Sequence, residues 1–159
     1  MASDYLLELE GIKGESSDKK HPGTIEIDSF SWGVSNAASM SSGSGGGAGK
    51  ASFSDLSMMT NTCKASPLLM LACATGQHIK SAKLFVRKQG TEQHDYYVIT
   101  LTDLLVSSFQ TSGGGGSQAP TESFSLNFTK IEFSYSPQKP DGSLDTAIKA
   151  SWNLKENVK

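Results

Sequence analysis

Apolar residues recur at every second position along most of this chain, the pattern of β-strands that bury one face. Bounded by polar and Gly-containing segments, this alternation predicts strands over residues 5–9, 24–35, 82–88, 96–102, 104–111, 122–136 and 149–157. Because this period of two dominates the chain, we predict a mainly β protein.

In the two longest predicted strands the apolar phase slips by one residue. One slip lies at Asp28-Ser29 and the other near Thr129-Lys130. A β-bulge, which adds one residue to a strand and bends it, accounts for such a slip. Two long bent strands predict a sheet that curves towards a barrel. At 159 residues the chain fits one domain, so we predict a single-domain curved β-barrel of two sheets over residues 1–159.

One helix is predicted at about residues 66–75, between the strands. Ser66 suits the N-cap, Pro67 the first helical position, and Gly76 the residue after the last turn. The segment is apolar at Leu68, Leu69, Leu71, Ala72 and Cys73. We therefore expect it to close an open barrel end or to cover a sheet.

Residues 36–49 form a long Ser/Gly-rich segment that ends in Gly49-Lys50, as a phosphate loop does. A phosphate loop also needs Gly at the position of Ser44 and Ser or Thr at the position of Ala51. Both requirements fail, so the segment is interpreted as a long extended loop and no nucleotide cofactor is predicted.

The charge balance and the N-terminal sequence argue against nucleic-acid binding, a secretory signal and membrane insertion. The chain has 14 basic and 16 acidic residues with no basic cluster, which argues against a nucleic-acid partner. The acidic start MASDYLLELEGIKGES has no secretory-signal pattern, and no segment is apolar enough for membrane insertion. We expect synthesis in the cytoplasm, so any export would need a dedicated machine.

No catalytic or metal-binding pattern emerges from the sequence. His21, His78 and His94 fall in predicted loops without metal-ligand spacing, and no Gly-x-Ser-x-Gly motif is present. We predict no catalytic residue, metal or cofactor, and hence no enzyme. Trp32 and Trp152 favour core packing, but a monomeric β-barrel that stacks a ligand on them stays an alternative.

Short motifs distributed over nearly the whole chain carry a family resemblance through their order and spacing. They are KGES at 13–16, SWG at 31–33, GGGAGK at 45–50, DLS at 55–57, LMLAC at 69–73, AKL at 82–84, LVSS at 105–108, LNF at 126–128, PQK at 137–139 and DG at 141–142. With them the chain resembles Hcp, the haemolysin-coregulated protein of the inner tube of bacterial type VI secretion systems.

The resemblance implies a role and partners that periodicity does not show. It implies a homo-hexameric ring, stacking of rings into a tube, and a fold like that of phage tail tubes. It also implies secretion to the extracellular space or a target cell, with effectors held in the ring lumen. A tube-tip spike protein and a surrounding contractile sheath are the other implied partners, and a phage-type tail tube protein is the neighbouring alternative.

Two groups of residues are predicted to serve this role. In the strand at 29–35, Ser29 and Ser31 lie on a small, neutral, hydroxyl-bearing face, opposite Phe30 and Trp32. We expect Ser31 and Ser29 to face the lumen and contact effectors. The loop 36–49 is expected to reach the adjacent ring. Its predicted ring-stacking residues are Ser39, Met40, Ser41, Ser42, Gly43, Ser44, Gly45, Gly46 and Gly47.

Overall fold

Ten β-strands and one α-helix make up the parts of the chain described by a computed structural model, residues 3–37, 50–89, 93–116 and 119–159. In chain order they are β1 (Ser3–Leu9), β2 (Ile25–Ile27), β3 (Ser29–Ser31), β4 (Val34–Asn36), β5 (Ala51–Phe53), β6 (Leu56–Asn61), α1 (Ser66–Thr75), β7 (Ile79–Lys88), β8 (Asp95–Ser112), β9 (Thr121–Tyr135) and β10 (Ile148–Asn153). The prediction of a mainly β protein with one short helix is confirmed. The strands predicted at 96–102 and 104–111 are one strand, β8.

The strands form one nearly closed, antiparallel sheet in the order β2-β1-β7-β8-β9-β6-β3, with β10 paired to β9. Asp28 alone separates β2 from β3, so the chain passes directly from one edge of the sheet to the other. At this junction the Asp28 N–H donates to the Met59 carbonyl at 2.8 Å, and the Thr60 hydroxyl donates to the Glu26 carbonyl at 2.6 Å. The predicted curved barrel is confirmed. The second sheet is the two-stranded ribbon β4–β5.

The phase slip at Asp28-Ser29 is a change of partner, and the predicted bulge there is wrong. Ile27 pairs with Tyr5 of β1, whereas Ser29 pairs with Met59 of β6. The chain turns between these two partners, and this reverses the side that the following residues face. A slip in alternation alone does not distinguish such a junction from a bulge.

The slip near Thr129-Lys130 is also no bulge, because β8 and β9 keep their register across it. Both strands change phase together: the buried pairs are Leu101 with Ile131 and, three residues along each strand, Leu104 with Phe128. Asp103 accommodates the change with a φ of 49°, and its carbonyl accepts a hydrogen bond from the Thr129 hydroxyl at 2.9 Å. The two strands therefore bend together, without an inserted residue. The bulge between these strands lies instead between Val106 and Ser108.

The helix α1 packs against β8 with Leu69 and Ala72 fully buried, while Leu68 and Leu71 are about half exposed. Gly76 ends the helix in the predicted left-handed conformation, at a φ of 64°. The prediction for Ser66 is wrong, because the N-cap position is taken by Ala65 without a side-chain cap.

The Ser66 hydroxyl instead links the start of α1 to β9. It accepts a hydrogen bond from the Cys63 N–H at 2.9 Å and donates to the Glu122 carboxylate at 2.5 Å. Glu122 is 3 % exposed and accepts a second hydrogen bond from the Thr62 hydroxyl at 3.1 Å. A buried carboxylate on β9 therefore fixes the chain before and at the first turn of the helix.

Candidate functional site

Four adjacent strands, β3, β6, β9 and β8, present an outer face on which six of eight side chains are serine. Their register aligns the side chains into two rows that cross the strands. The first row is Ser31, Ser57, Ser125 and Ser108, and the second is Ser29, Met59, Ser123 and Gln110. We call these eight positions the serine face. None of them carries a charge, and seven of the eight are polar.

The row between these two points into the barrel and is apolar throughout. It consists of Phe30, Met58, Phe124 and Phe109, paired in the same order across the four strands. Met58 and Phe124 are each 1 % exposed. Side chains alternate between the two faces of a sheet, so burial of this apolar row fixes the serine rows on the outside. Packing of the core thereby orients the serine face.

The β-bulge in β8 concentrates hydroxyl groups at one end of the first row. It places Ser107 and Ser108 together against Ser125 of β9. The Ser125 hydroxyl oxygen lies 2.7 Å from that of Ser107 and 2.5 Å from that of Ser108. Ser125 is 8 % exposed, whereas Ser107 and Ser108 are open to solvent. Without the bulge, two consecutive side chains would point to opposite sides of the sheet.

Asp55, just before β6, anchors this hydroxyl cluster. One carboxylate oxygen accepts a hydrogen bond from the Ser107 hydroxyl at 2.6 Å, and the other accepts one from the Asn127 amide at 2.9 Å. Two donors from different strands therefore hold the half-buried carboxylate in one orientation.

The structure places both predicted lumen residues, Ser29 and Ser31, on the exposed serine face. Their contact with effectors stays a prediction. Sequence reasoning missed the neighbours that complete the face, among them Ser57 and Ser123. Their alternation with buried residues in β6 and β9 is visible in the sequence, but only strand order shows that they lie beside Ser31 and Ser29.

The predicted ring-stacking residues, Ser39 to Gly47, lie outside the described part of the chain. Asn36, the first residue of the predicted loop, pairs with Ala51 in the ribbon β4–β5 and therefore belongs to a strand. The segment between them thus leaves from and returns to neighbouring strands. Ring stacking by this segment stays a prediction.

The predicted aromatic stacking residues line an open apolar groove of about 190 Å³ beside the ribbon. It is bordered by Trp32, Phe53, Phe133 and Trp152. Trp32 packs edge-on against Phe133 with ring centroids 5.7 Å apart, and its indole N–H donates to the Tyr97 hydroxyl at 3.2 Å. Burial raises the pKa of Tyr97. Both tryptophans pack against the core, as favoured above, while the groove leaves part of each ring exposed.

A buried ion pair lies between β7 and the loop that precedes β2. Arg87 is 3 % exposed, and its guanidinium donates two parallel hydrogen bonds to the two carboxylate oxygens of Asp18. These bonds lower the pKa of Asp18 to about 2 and raise the pKa of Arg87. Asp4 contacts the same guanidinium at 3.6 Å. The arrangement is that of a structural clamp with both charges paired.

Two of the three histidines each lie beside one carboxylate. His21 Nε2 lies 2.8 Å from Asp95, and His78 Nε2 lies 3.3 Å from Asp103. Among the described residues, no group of three His, Cys, Asp or Glu side chains converges as a metal site would require. In the same residues, no helix is long and apolar enough to span a membrane.

Three comparisons with known proteins all find Hcp or type VI secretion system proteins. Residues 6–135 match the family model described as "Type VI secretion system effector, Hcp". The chain is 45 % identical over 160 residues to protein hcp1 of Pseudomonas aeruginosa, covering 99 % of each. It is similar to the crystal structure of Hcp1 from Salmonella typhimurium, with a TM-score of 0.81, 34 % identity and 99 % of each chain covered. A structure of a type six secretion system protein matches with a TM-score of 0.92 and 33 % identity over 98 % of each chain.

Proposed function

The chain belongs to the Hcp family of type VI secretion system proteins and is a tube subunit of that system, and we propose that it acts as a hexameric ring whose lumen carries effectors. In this proposal the rings stack into a tube that is secreted with its cargo. The chain acts as a single structural domain, with no catalytic step of its own.

The serine face is the observation that supports the lumen assignment. A transport channel must contact its cargo without trapping it, and hydroxyl groups make individually weak hydrogen bonds to any polar chain. Solvent-exposed sheet faces ordinarily carry charged side chains, and none of the eight positions in the two rows does. We assign this face to the lumen, with Ser31 and Ser29 among its cargo contacts.

A closed ring of identical subunits joins two different surfaces of the chain at each interface, so it can cover exposed strand edges. The segment 36–49 is proposed to contact the adjacent ring. Ordering its Ser and Gly residues costs conformational entropy, which favours a contact that forms and breaks easily. The spike protein at the tube tip and the surrounding sheath are proposed as further partners.

Two measurements test this function. Light scattering on a sizing column, with negative-stain images of the peak, should give the mass of six subunits and annular particles. In rings of Ser31→Trp, an indole covers the first serine row, and a co-expressed effector should no longer be retained. Ser35→Trp is the matched control, since Ser35 is exposed on the ribbon strand β4 and not on the serine face. Rings that retain effector equally well in both variants would refute the lumen assignment.

A second candidate function follows from the apolar groove bordered by Trp32 and Trp152. A monomeric β-barrel that binds an aromatic or apolar ligand would use such a groove. A monomer across a wide concentration range, with saturable quenching of tryptophan fluorescence by one ligand, would favour this alternative over the ring.

A further inference from the structure

We propose that Asp55, Ser107 and Ser108 form a docking position for a cationic side chain of the cargo, with arginine preferred. We call these three residues the acceptor patch. The proposal rests on the assignment of the serine face to the lumen, and it adds a charge preference to a face that is otherwise neutral.

The direction of each hydrogen bond in the cluster follows from the carboxylate. A serine hydroxyl has one hydrogen, and that of Ser107 is donated to Asp55 at 2.6 Å. The contact of 2.7 Å between Ser107 and Ser125 therefore uses the Ser125 hydrogen. By the same reasoning, the contact of 2.5 Å between Ser125 and Ser108 uses the Ser108 hydrogen. The three hydroxyl hydrogens therefore all point the same way along this series of hydrogen bonds, from Ser108 through Ser125 and Ser107 to Asp55.

Because all three serine hydroxyl hydrogens are used within the cluster, its hydroxyl groups can only accept further hydrogen bonds. The Ser108 oxygen keeps both lone pairs, the Ser107 oxygen keeps one, and the Asp55 carboxylate has about four acceptor sites, of which Ser107 and Asn127 use two. The Ser31 hydroxyl differs, because it makes no hydrogen bond to any described residue and can rotate to donate or accept. Ser31 thus accommodates any polar group, whereas the acceptor patch accommodates only donors.

Among donors, the patch favours a positive charge. The two oxygens of Asp55 are fixed by partners on two strands, so a ligand does not have to order them. A guanidinium has five N–H groups in a planar fork that fits a carboxylate and a neighbouring oxygen together. In the bulge, Ser107 and Ser108 both face outwards beside Ser125, where they supply such neighbouring oxygens. An arginine of an extended cargo segment is therefore the ligand that this geometry fits.

The test uses two ten-residue Gly/Ser peptides, one with a central arginine and one with citrulline, which keeps the shape and loses the charge. Their affinities for the full-length protein are measured by saturation-transfer difference NMR, with light scattering on the same samples. We expect the arginine peptide to bind about two- to fivefold more tightly. Asp55→Asn should abolish this preference. Glu8→Gln, which removes an exposed negative charge on β1, should leave it unchanged.

Equal affinities of the two peptides, binding of neither, or a preference that survives in Asp55→Asn would overturn the proposal. If Asp55→Asn does not fold, Ser108→Ala serves instead, since it leaves the bond between Ser107 and Asp55 intact and removes one outer acceptor. It should reduce the arginine preference at an unchanged melting temperature, and an unchanged preference would again refute the patch. Light scattering distinguishes failure of the acceptor patch from failure of the proposed ring. A hexamer without arginine preference refutes only the patch, whereas a monomer refutes the ring.

Discussion

The paired charges of Asp18 and Arg87 make the stability of this fold depend on acid in a predictable way. The folded state lowers the pKa of Asp18 from 3.8 to about 2, chiefly through the hydrogen bonds from Arg87. A lowered pKa means that the folded state favours the carboxylate. This contribution to stability is therefore complete above pH 4 and is lost as the pH falls from about 4 to 2.

The size of the contribution follows from the same two values. One pKa unit corresponds to about 1.4 kcal/mol, so a fall from 3.8 to about 2 corresponds to about 2 kcal/mol of unfolding free energy. The side chain of Asp18 is 15 % exposed and that of Arg87 is 4 % exposed, so solvent screens this pair far less than a surface pair. Arg87 stays charged throughout, because the pair raises its pKa.

Asp18→Asn isolates this effect. Its amide oxygen can still accept the backbone hydrogen bonds that Lys20 and His21 donate to Asp18 at 2.9 Å, but it cannot titrate. At pH 7 the variant should lose at least about 2 kcal/mol, because a buried guanidinium also loses its partner. Between pH 4.5 and 2.5 it should lose about 1.5 kcal/mol less than the wild type does, because at pH 2.5 the folded-state carboxyl is still mostly ionised and part of the contribution remains.

Urea unfolding followed by tryptophan fluorescence measures both differences, at one fixed protein concentration because assembly of the proposed ring would stabilise the folded state. Asp141→Asn is the control. The pKa of Asp141 is also lowered, by hydrogen bonds from Ser143, but Asp141 lies exposed in a turn and its lowered pKa does not depend on Arg87. If wild type and Asp18→Asn lose the same free energy between pH 4.5 and 2.5, the assignment of this acid dependence to Asp18 is refuted.

Two further substitutions test the packing that supports the site. Gly14→Ala should destabilise the protein by about 2 kcal/mol, because a methyl group there would lie 2.4 Å from the backbone oxygen of Thr24. Gly115→Ala, at a position with open space, should have little effect on the same urea unfolding curve. Glu122→Gln should cost about 1–2 kcal/mol, because the buried amide has one acceptor oxygen for the hydroxyls of Thr62 and Ser66. A melting temperature equal to that of the wild type would contradict this role of Glu122.

Alternation predicted the polarity of each strand face because burial of one face imposes it. Phe30 lies inside and Ser31 outside, as their order predicts, and the helix follows from Pro67 and Gly76. Which strands are neighbours is not encoded in alternation. The pairing of Ser31 with Ser57, and of Ser57 with Ser125, depends on contacts between residues far apart in the sequence.

The bulge at Ser107 shows a second limit of prediction from sequence. In the sequence the bulge appears as a spacing of three residues between the inward-facing Val106 and Phe109. A regular strand would have a spacing of two. Leu105 obscures this spacing, because an exposed leucine between Leu104 and Val106 makes the run apolar on both faces. The sequence thus contains the change in spacing that marks the bulge, but one exposed apolar side chain, Leu105, is enough to hide it.

The two kinds of hydroxyl on the serine face have opposite consequences for cargo. Freely rotating groups such as Ser31 adapt to whichever donor or acceptor passes, so they hold no segment in a fixed register. The acceptor patch selects a positive charge, but a single solvent-exposed pair contributes about 1 kcal/mol or less. One subunit therefore holds cargo only briefly. In the proposed ring every subunit carries the patch, so several weak contacts on one cargo chain would raise its residence time through effective concentration, while each contact still breaks independently. Retention and release then both follow from one small cluster on the sheet.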